Sequence, residues 1–209
     1  ERFINEDLSA ANNVTTGKIY WSVMEKERKG DYLGKTVQII PHITNEIKKM
    51  INKPLINSDS NIIIAEIGGT VGDIESLPFL EALRQMKDEI PKENVAFIHL
   101  TLVPYLKTSK ELKTKPTQHS VKELRGIGIS PHIIVARCDR PLTEKVRQKI
   151  ALFCDVPQKN VIECQNLDVL YEVPLAMQEE ELDQRILEHL ELPKKDQDMS
   201  NWSKRVNKL

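Results

Sequence analysis

The chain has 209 residues and a net charge of −1, from 30 Lys and Arg residues against 31 Asp and Glu residues. Its composition, 40% hydrophobic and 29% charged, is ordinary for a globular protein and argues against disordered and fibrous classes. Because a nucleic-acid binder usually carries a basic excess, the balanced charge predicts no nucleic-acid partner. No apolar run approaches the roughly 18 residues that a membrane span needs, so no membrane partner is expected either.

Five runs of apolar, largely β-branched residues have the length of strands. In chain order they cover residues 36–40, 61–67, 95–103, 132–137 and 161–162. The second and fourth runs are nearly unbroken, which is typical of strands that are covered on both faces of a parallel sheet.

Amphipathic segments separate these runs. They lie at residues 44–51, 77–86, 120–125 and 143–153. Strands that alternate with helices predict an α/β fold, with a mostly parallel, doubly wound sheet and helices on both faces. Further on, residues 179–181 are predicted to open an acidic helix, residues 193–198 to form a polar linker, and residues 201–206 to start another helix.

The second predicted strand ends in a carboxylate and a glycine-rich turn. Glu66 precedes three of the eight glycines of the chain, all within residues 68–72. In open α/β sheets ligands bind beyond the carboxyl ends of the strands, and glycines let backbone N–H groups approach a ligand. Because Mg²⁺ takes carboxylate and phosphate oxygens, Glu66 is a candidate metal ligand. The alternative is a tight turn in which Asp73 or Glu75 caps the next helix.

A lysine-bearing turn, K-T-K-P-T-Q at residues 113–118, follows the third predicted strand. Lys113 and Lys115 flank the turn, and Pro116 suits a first helical position. Two ammonium groups beside a helix N-terminus make an anion site, for which a polyphosphate is the natural ligand. A solvated, lysine-rich loop is the alternative.

The fourth predicted strand ends in R-C-D-R at residues 137–140. This cluster either holds a nucleotide base and ribose or forms a salt-bridged turn. Lys149, one helix further on, has the pattern of a solvated surface residue, and His42 that of a turn residue before a helix. The chain contains no G-x-x-x-x-G-K-[ST] phosphate loop and no recognisable nucleophile–base pair.

Three cysteines, Cys138, Cys154 and Cys164, show no C-x-x-C spacing, which argues against a disulfide framework and against a zinc site. They are expected to be buried, reduced thiols, and a cytoplasmic location follows from that expectation. The chain begins at Glu1 rather than Met, and its first residues are too charged for a signal peptide, so we expect a segment upstream.

Four segments resemble the CTP synthase family. They are G-D-Y-L-G-K-T-V-Q-I-I-P-H-I-T at residues 30–44, E-I-G-G-T-V-G-D-I-E-S at 66–76, K-T-K-P-T-Q-H-S-V at 113–121 and K-I-A-L-F-C at 149–154. The resemblance runs without a large gap from Glu1 to about Trp202, and four long motifs in one order are very specific.

The resemblance implies a P-loop-type amidoligase (synthetase) domain over residues 1–192, with residues 193–209 starting a linker toward a glutaminase domain. It places the phosphate loop of the family upstream of Glu1 and the glutaminase downstream of Leu209, so the chain alone is expected to be inactive. The family makes CTP from UTP, ATP and glutamine. ATP phosphorylates uracil O4, and ammonia then displaces the phosphate at C4. A homotetramer is also implied, with the pyrimidine nucleotide site at subunit junctions.

Individual roles follow from the resemblance. Glu66 is implied as a ligand of the Mg²⁺ that acts with ATP, and Lys113 as catalytic. The site for the triphosphates of UTP and CTP is implied at Lys113, Thr114, Lys115, Pro116, Thr117, Gln118 and Lys149. A pocket for the base of the inhibitor CTP is implied at Asp73, Ile74 and Glu75, with Glu81 nearby. The adenine end of ATP is implied at Gln165, Asn166 and Leu167.

Three hypotheses therefore compete. The chain is part of an ATP-dependent C–N ligase, or a module that binds UTP or CTP without turnover, or another P-loop ligase or GTPase. The K-T-K-P-T-Q run argues against the third hypothesis, because a generic nucleotide hydrolase has no use for it.

Overall fold

The structure is a computed structural model that describes residues 3–4, 7–56, 60–194 and 197–208. It divides the chain into two compact units, unit 1 from Glu1 to Glu89 and unit 2 from Ile90 to Leu209. In the described part of the chain, no helix is both long and apolar enough to cross a membrane.

The described residues of unit 1 form three α-helices. They are α1 Thr16–Lys29, α2 Thr44–Ile56 and α3 Leu77–Glu89. The side chain of Thr15 accepts a hydrogen bond from the N–H of Lys18 and so caps α1, and Gly30 ends the helix with a φ of 84°. This left-handed conformation favours glycine. The helices predicted at residues 44–51 and 77–86 are confirmed as parts of α2 and α3.

The core of unit 1 joins these three helices. Ile19 and Val23, one turn apart on α1, are buried together with residues from α2, α3 and the turn before α2. The remaining buried members of this cluster are Ile43, Ile47 and Ala82.

The strand predicted at residues 36–40 is wrong. Residues 36–38 have no regular secondary structure, and Ile39–Ile43 form a π-helical turn that leads into α2. The ring Nδ1 of His42 accepts the backbone N–H of Gln38 at 3.0 Å, so a donor that a strand would use is satisfied inside the turn. His42 is thereby confirmed as a turn residue.

The strand predicted at residues 61–67 is also wrong. This segment has no regular secondary structure, and the side chains of Ile62 and Ile64 are 58% and 93% exposed. A strand needs a neighbour that satisfies its backbone N–H and C=O groups. Among the described residues, no strand pairs with this segment.

Unit 2 is built on five short strands. They are β1 Ile98–Leu102, β2 Tyr105–Leu106, β3 Glu111–Leu112, β4 Ile133–Cys138 and β5 Val161–Gln165. A parallel sheet has the order β1-β4-β5, with Ile98 opposite Ile133 and Ile134 opposite Val161. β2 and β3 form a separate antiparallel hairpin. The third, fourth and fifth predicted strands are thus confirmed as parallel neighbours.

Helices cover both faces of this sheet. They are α4 Lys115–Gly126, α5 Glu144–Cys154, α6 Val173–Glu179 and α7 Leu182–His189. A further helix, α8 Ser200–Val206, follows them in the chain. On one face Ile134 of β4 packs in a cluster with Val121 of α4 and Ile150 of α5. On the other face Ile133 packs in a cluster with Ile186 of α7. The predicted α/β fold, a parallel sheet flanked by helices, is confirmed.

The C-terminal predictions have mixed outcomes. The helix predicted at 201–206 is confirmed by α8, where the indole N–H of Trp202 donates to the carbonyl of Tyr171 at 2.8 Å. The acidic residues 179–181 do not open a helix, because α6 ends at Glu179 and Glu181 takes a left-handed φ of 57° before α7. Within the predicted linker, Lys195 and Asp196 lie outside the described residues. The domain boundary after residue 192 stays a prediction.

Candidate functional site

The K-T-K-P-T-Q segment of unit 2 is anchored at the carboxyl end of β1. Thr117 is fully buried, and its hydroxyl donates to the carbonyl of Leu102, the last residue of β1, at 3.3 Å. Gln118, nearly buried, donates to the hydroxyl of buried Thr114 at 2.9 Å. The polar residues of the segment therefore fix the start of α4 to the sheet, which a solvated loop would not do.

The lysines of this segment remain at the surface. α4 begins at Lys115, and Pro116 follows it in the first turn, where a missing N–H has no cost. Lys115 and Pro116 are exposed. The ammonium of Lys113 forms an ion pair with the carboxylate of Glu111 on β3. The anion-binding groups thus sit on a backbone that is held in place.

Lys149 on α5 belongs to the same charged group, although its side chain is exposed. The hydrogen bond and charge of Lys113 lower the pKa of the Glu111 carboxyl, and the charge of Lys149 adds to this effect. Lys149 therefore adds positive charge to the surroundings of Glu111, whereas the direct contact is made by Lys113.

A shallow groove of about 250 Å³ opens where the three parallel strands end. Its lining comes from the segments after β1, β4 and β5, namely Leu102, Val103, Pro104, Tyr105, Cys138, Asp139 and Asn166. This edge is where ligands bind in open α/β sheets. The groove and the K-T-K-P-T-Q segment meet at Leu102 and Pro104, because the backbone N–H of Lys113 donates to the carbonyl of Pro104 at 2.8 Å.

The three residues predicted at the adenine end of ATP have different environments. Asn166 lines the groove, and its backbone N–H donates to the carbonyl of Cys138 at 3.0 Å. The side chain of Gln165 donates to the carboxylate of Glu163, and Leu167 is 38% exposed and does not line the groove. Among the described residues, Asn166 is therefore the one of these three that lines the groove.

Tyr105 and Arg140 contact each other at this edge of the sheet. The sequence motifs did not predict this contact. The guanidinium of Arg140 lies over the Tyr105 ring, 4.2 Å from its centre. Arg137, in the same R-C-D-R cluster, donates to the side chain of Asn166 at 3.3 Å. Among the described residues Asp139 forms no ion pair, so the cluster is not a salt-bridged turn. A Pro-Tyr pair directly after a strand was the available signal for Tyr105.

The glycine-rich turn of unit 1 is organised by Asp73. The carboxylate of Asp73 accepts the N–H of Thr70 at 2.8 Å, and Gly69 has a φ of 91°. A Cβ at Gly69 would lie 3.3 Å from Oδ2 of Asp73, so the turn has little room for a side chain there. The side chain of Asp73 closes the turn, and neither it nor Glu75 caps α3.

The predicted site residues of unit 1 differ in their exposure and in their hydrogen-bond partners. Glu66 is exposed, and its carboxylate forms no hydrogen bond or ion pair with the described residues. Ile74 is 81% exposed, and Glu75 is also exposed. Glu81 instead accepts two hydrogen bonds from Arg84, which lower the pKa of its carboxyl to about 2. The negative charge of Glu81 is thus already paired with Arg84 of the same helix.

The carboxylate of Glu66 could supply one ligand to a metal ion, but not a complete site. Glu66 offers oxygen atoms of the kind that Mg²⁺ prefers, and Mg²⁺ commonly takes one or two carboxylates, with water and phosphate oxygens as its other ligands. Among the described residues no group of three or more His, Cys, Asp or Glu side chains could hold a metal by itself. Glu66 therefore suits a metal that arrives with a phosphate ligand.

Comparison with known proteins gives the family. A family model described as "CTP synthase N-terminus" matches residues 1–192. The CTP synthase of Bacillus subtilis (strain 168) is 57% identical over 209 residues, which cover 100% of this chain and 39% of that protein. The chain belongs to the CTP synthase family. The CTP synthases of Methanococcus maripaludis and Geobacillus kaustophilus are 57% and 56% identical over the same shares of each chain.

The CTP synthase match includes both units, since the identity extends through all 209 residues. The chain spans 39% of the length of these curated relatives. The Glu66–Glu75 turn and the K-T-K-P-T-Q segment therefore both belong to the N-terminal region of a CTP synthase, and the resemblance found in the sequence is confirmed.

The thiols in this part of the CTP synthase sequence are not arranged as nucleophiles. Cys138 and Cys154 are buried free thiols, and burial raises the pKa of each to about 11. Cys164 is partly buried, and burial raises the pKa of its thiol as well. Because the thiolate is the reactive form, a raised pKa disfavours nucleophilic chemistry at these cysteines, as expected for structural thiols.

Proposed function

We propose that this chain is the synthetase part of a CTP synthase, an ATP-dependent C–N ligase that converts UTP into CTP. In this reaction ATP transfers its γ-phosphoryl group to O4 of uracil, which gives ADP and a 4-phosphorylated UTP. Ammonia derived from glutamine then adds at C4, and the C4–O bond breaks as phosphate leaves. The observation that carries the proposal is the anchoring of Lys113–Gln118 at the carboxyl end of β1, beside the groove.

The K-T-K-P-T-Q segment is the proposed triphosphate site for UTP and CTP. Buried Thr114, Thr117 and Gln118 hold the backbone, so the positions of Lys113 and Lys115 require little reorganisation when an anion binds. Lys149 supplies a further positive charge close to Lys113. Preorganised positive charge is what phosphoryl-transfer enzymes use to orient and stabilise phosphate groups. Lys113 takes the catalytic role in this proposal because the family resemblance implies that role for it.

ATP is assigned to the groove at the strand ends. Asn166, with Gln165 and Leu167 on either side, would bind the adenine end, and Asp139 offers a carboxylate for hydroxyl groups. The stacked pair of Arg140 and Tyr105 adds planar surfaces at the same edge.

Mg²⁺ is proposed to act with ATP, and Glu66 is the residue of this chain that would hold it. A bound Mg²⁺ would supply positive charge to the phosphate oxygens. Asp73, Ile74 and Glu75 are proposed to contact the base of CTP as a product inhibitor. Glu81 would support that segment indirectly, since its carboxylate is committed to Arg84.

The proposal for the whole protein also includes glutamine hydrolysis by a further domain, a homotetramer and a cytoplasmic location. These rest on family membership.

The alternative is a nucleotide-binding and oligomerisation segment without turnover. It is favoured by one observation, the absence of a G-x-x-x-x-G-K-[ST] phosphate loop from these 209 residues.

The first experiment tests the assigned triphosphate site. Calorimetric titration of the chain with CTP and UTP should show that Lys113→Ala lowers the binding free energy by about 1.5–3 kcal/mol, the contribution of a charge-assisted contact. Lys35→Ala is the matched control, because Lys35 is an exposed lysine of unit 1 without an ion pair among the described residues. Equal losses for the two variants would contradict the site assignment.

A further inference from the structure

The ammonium of Lys113 is not free to bind an anion in the described structure. Its Nζ contacts Oε1 of Glu111, two residues earlier in the chain. The side chains of Lys113 and Glu111 are 37% and 55% exposed, so both groups remain accessible to a ligand. Lys113, which is proposed to bind phosphate, is therefore already paired with a carboxylate.

The ion pair lies at the end of the β2–β3 hairpin. Glu111 belongs to β3, Leu112 ends that strand, and Lys113 follows directly. Leu112 is partly buried against the core cluster of unit 2. The ion pair of Glu111 and Lys113 therefore flanks a leucine that is packed against the core.

The surroundings of Glu111 are positive. The ammonium of Lys113 contacts its carboxylate, and the charge of Lys149 on α5 helps to lower the pKa of that carboxyl. The backbone of Lys113 is fixed by its hydrogen bond to Pro104 and by the burial of Thr114. Displacing Glu111 therefore requires only side-chain movement, on a backbone that stays in place.

The Glu111 carboxylate, paired with the ammonium of Lys113, occupies the position that a phosphate oxygen would take. A bound polyphosphate and the Glu111 carboxylate cannot both hold Lys113 without bringing like charges within a few ångströms, which is unfavourable. We infer that Glu111 is an internal counter-ion that occupies the triphosphate-binding lysine and lowers its affinity for polyphosphate until the ligand displaces it. The proposed function supplies the identity of the nucleotide, whereas the counter-ion itself concerns any polyphosphate.

The test compares Glu111→Gln with a matched control, Glu123→Gln. Glu123 is an exposed residue of α4 without an ion pair among the described residues, so its substitution removes the same charge from the same unit. The probes are inorganic tripolyphosphate and UTP, titrated calorimetrically into the chain at low ionic strength. We expect Glu111→Gln to bind tripolyphosphate about twofold to fivefold more tightly, the equivalent of one exposed ion pair, and Glu123→Gln to bind as the wild type does.

A second pair of variants separates competition for Lys113 from general repulsion. In the Lys113→Ala background, Glu111→Gln should bring no further gain, because the ammonium that Glu111 contacts has been removed. A gain that persists in this background would overturn the inference, as would an unchanged affinity of Glu111→Gln or a failure of every variant to bind tripolyphosphate. If tripolyphosphate follows the expected order and UTP does not bind, the counter-ion stands and the proposed function fails.

Discussion

Residues 62–66 and 133–137 have similar sequences, but only the second segment forms a β-strand. The first reads I-I-I-A-E and the second I-I-V-A-R. In unit 2 the second segment is β4, the central strand of the parallel sheet, with β1 and β5 hydrogen-bonded on its two sides. In unit 1 the first segment has no regular secondary structure, and Ile64 is 93% exposed. Strand formation here depends on neighbours, and the apolar composition only permits it.

The polar segments that follow predicted strands differ in the same way. In unit 2 the uncharged polar residues of the K-T-K-P-T-Q segment, Thr114, Thr117 and Gln118, are buried, and Thr117 is hydrogen-bonded to β1. In unit 1 Glu66 and Glu75 are exposed, and the turn between them is held by local hydrogen bonds of Asp73. An anion site needs a fixed backbone, which unit 2 provides through the sheet. The turn of unit 1 depends on glycine conformation instead.

The largest expected effect tests the two apolar segments directly. Ile134→Ala should lower the free energy of unfolding of unit 2 by about 2–5 kcal/mol, because Ile134 is fully buried and its truncation leaves a cavity. Ile64→Ala should change the stability of unit 1 by less than about 0.5 kcal/mol, since its side chain is exposed.

The two tryptophans make that measurement specific for each unit. Trp21 lies on α1 and Trp202 on α8, so single-tryptophan variants report denaturant unfolding of unit 1 and unit 2 separately by fluorescence. Similar losses for Ile64→Ala and Ile134→Ala would show that residues 61–67 are packed as a strand, and would remove the contrast between the segments.

A smaller effect is expected in the glycine-rich turn. Gly69→Ala should destabilise unit 1 by about 1–2 kcal/mol, because an L side chain is unfavourable at a φ of 91° and its Cβ would meet the Asp73 carboxylate. Gly17→Ala in α1 is the control, with open space around the new Cβ and a better helix former in place of glycine. Opposite signs of the two changes in thermal unfolding would support the turn geometry, and equal signs would contradict it.

The smallest effect concerns Glu81. Its folded pKa of about 2 lies below the ordinary value of 4.5, so its ion pair stabilises unit 1 above pH 4.5, and this contribution is lost as the pH falls toward 2. Because the pair is near the surface, we expect about 0.5 kcal/mol. Glu81→Gln should flatten the dependence of unfolding free energy on pH between 4.5 and 2. An unchanged pH dependence in Glu81→Gln would contradict this role of the ion pair.

Part of the candidate site could be predicted from sequence because its signals are local. The K-T-K-P-T-Q segment follows a strand and starts a helix, and α4 begins at Lys115 within it. Asn166 directly follows β5, so its place at the sheet edge follows from the strand assignment. The pairing of Tyr105 with Arg140, and that of Glu111 with Lys113 near Lys149, could not be predicted in this way. These contacts depend on which strands become neighbours and on which face Leu112 is buried.

The sequence by itself determined the α/β class, the helices with clear apolar periodicity and the family to which the chain belongs. These follow from local periodicity and from long motifs, both of which are properties of consecutive residues. Tertiary structure alone decided which apolar runs become strands, since backbone hydrogen bonds between strands need a partner that the run itself does not contain. It also decided which charged groups stay free and which are neutralised, as Glu66 and Glu81 show, because that outcome depends on the neighbours that folding places within a few ångströms.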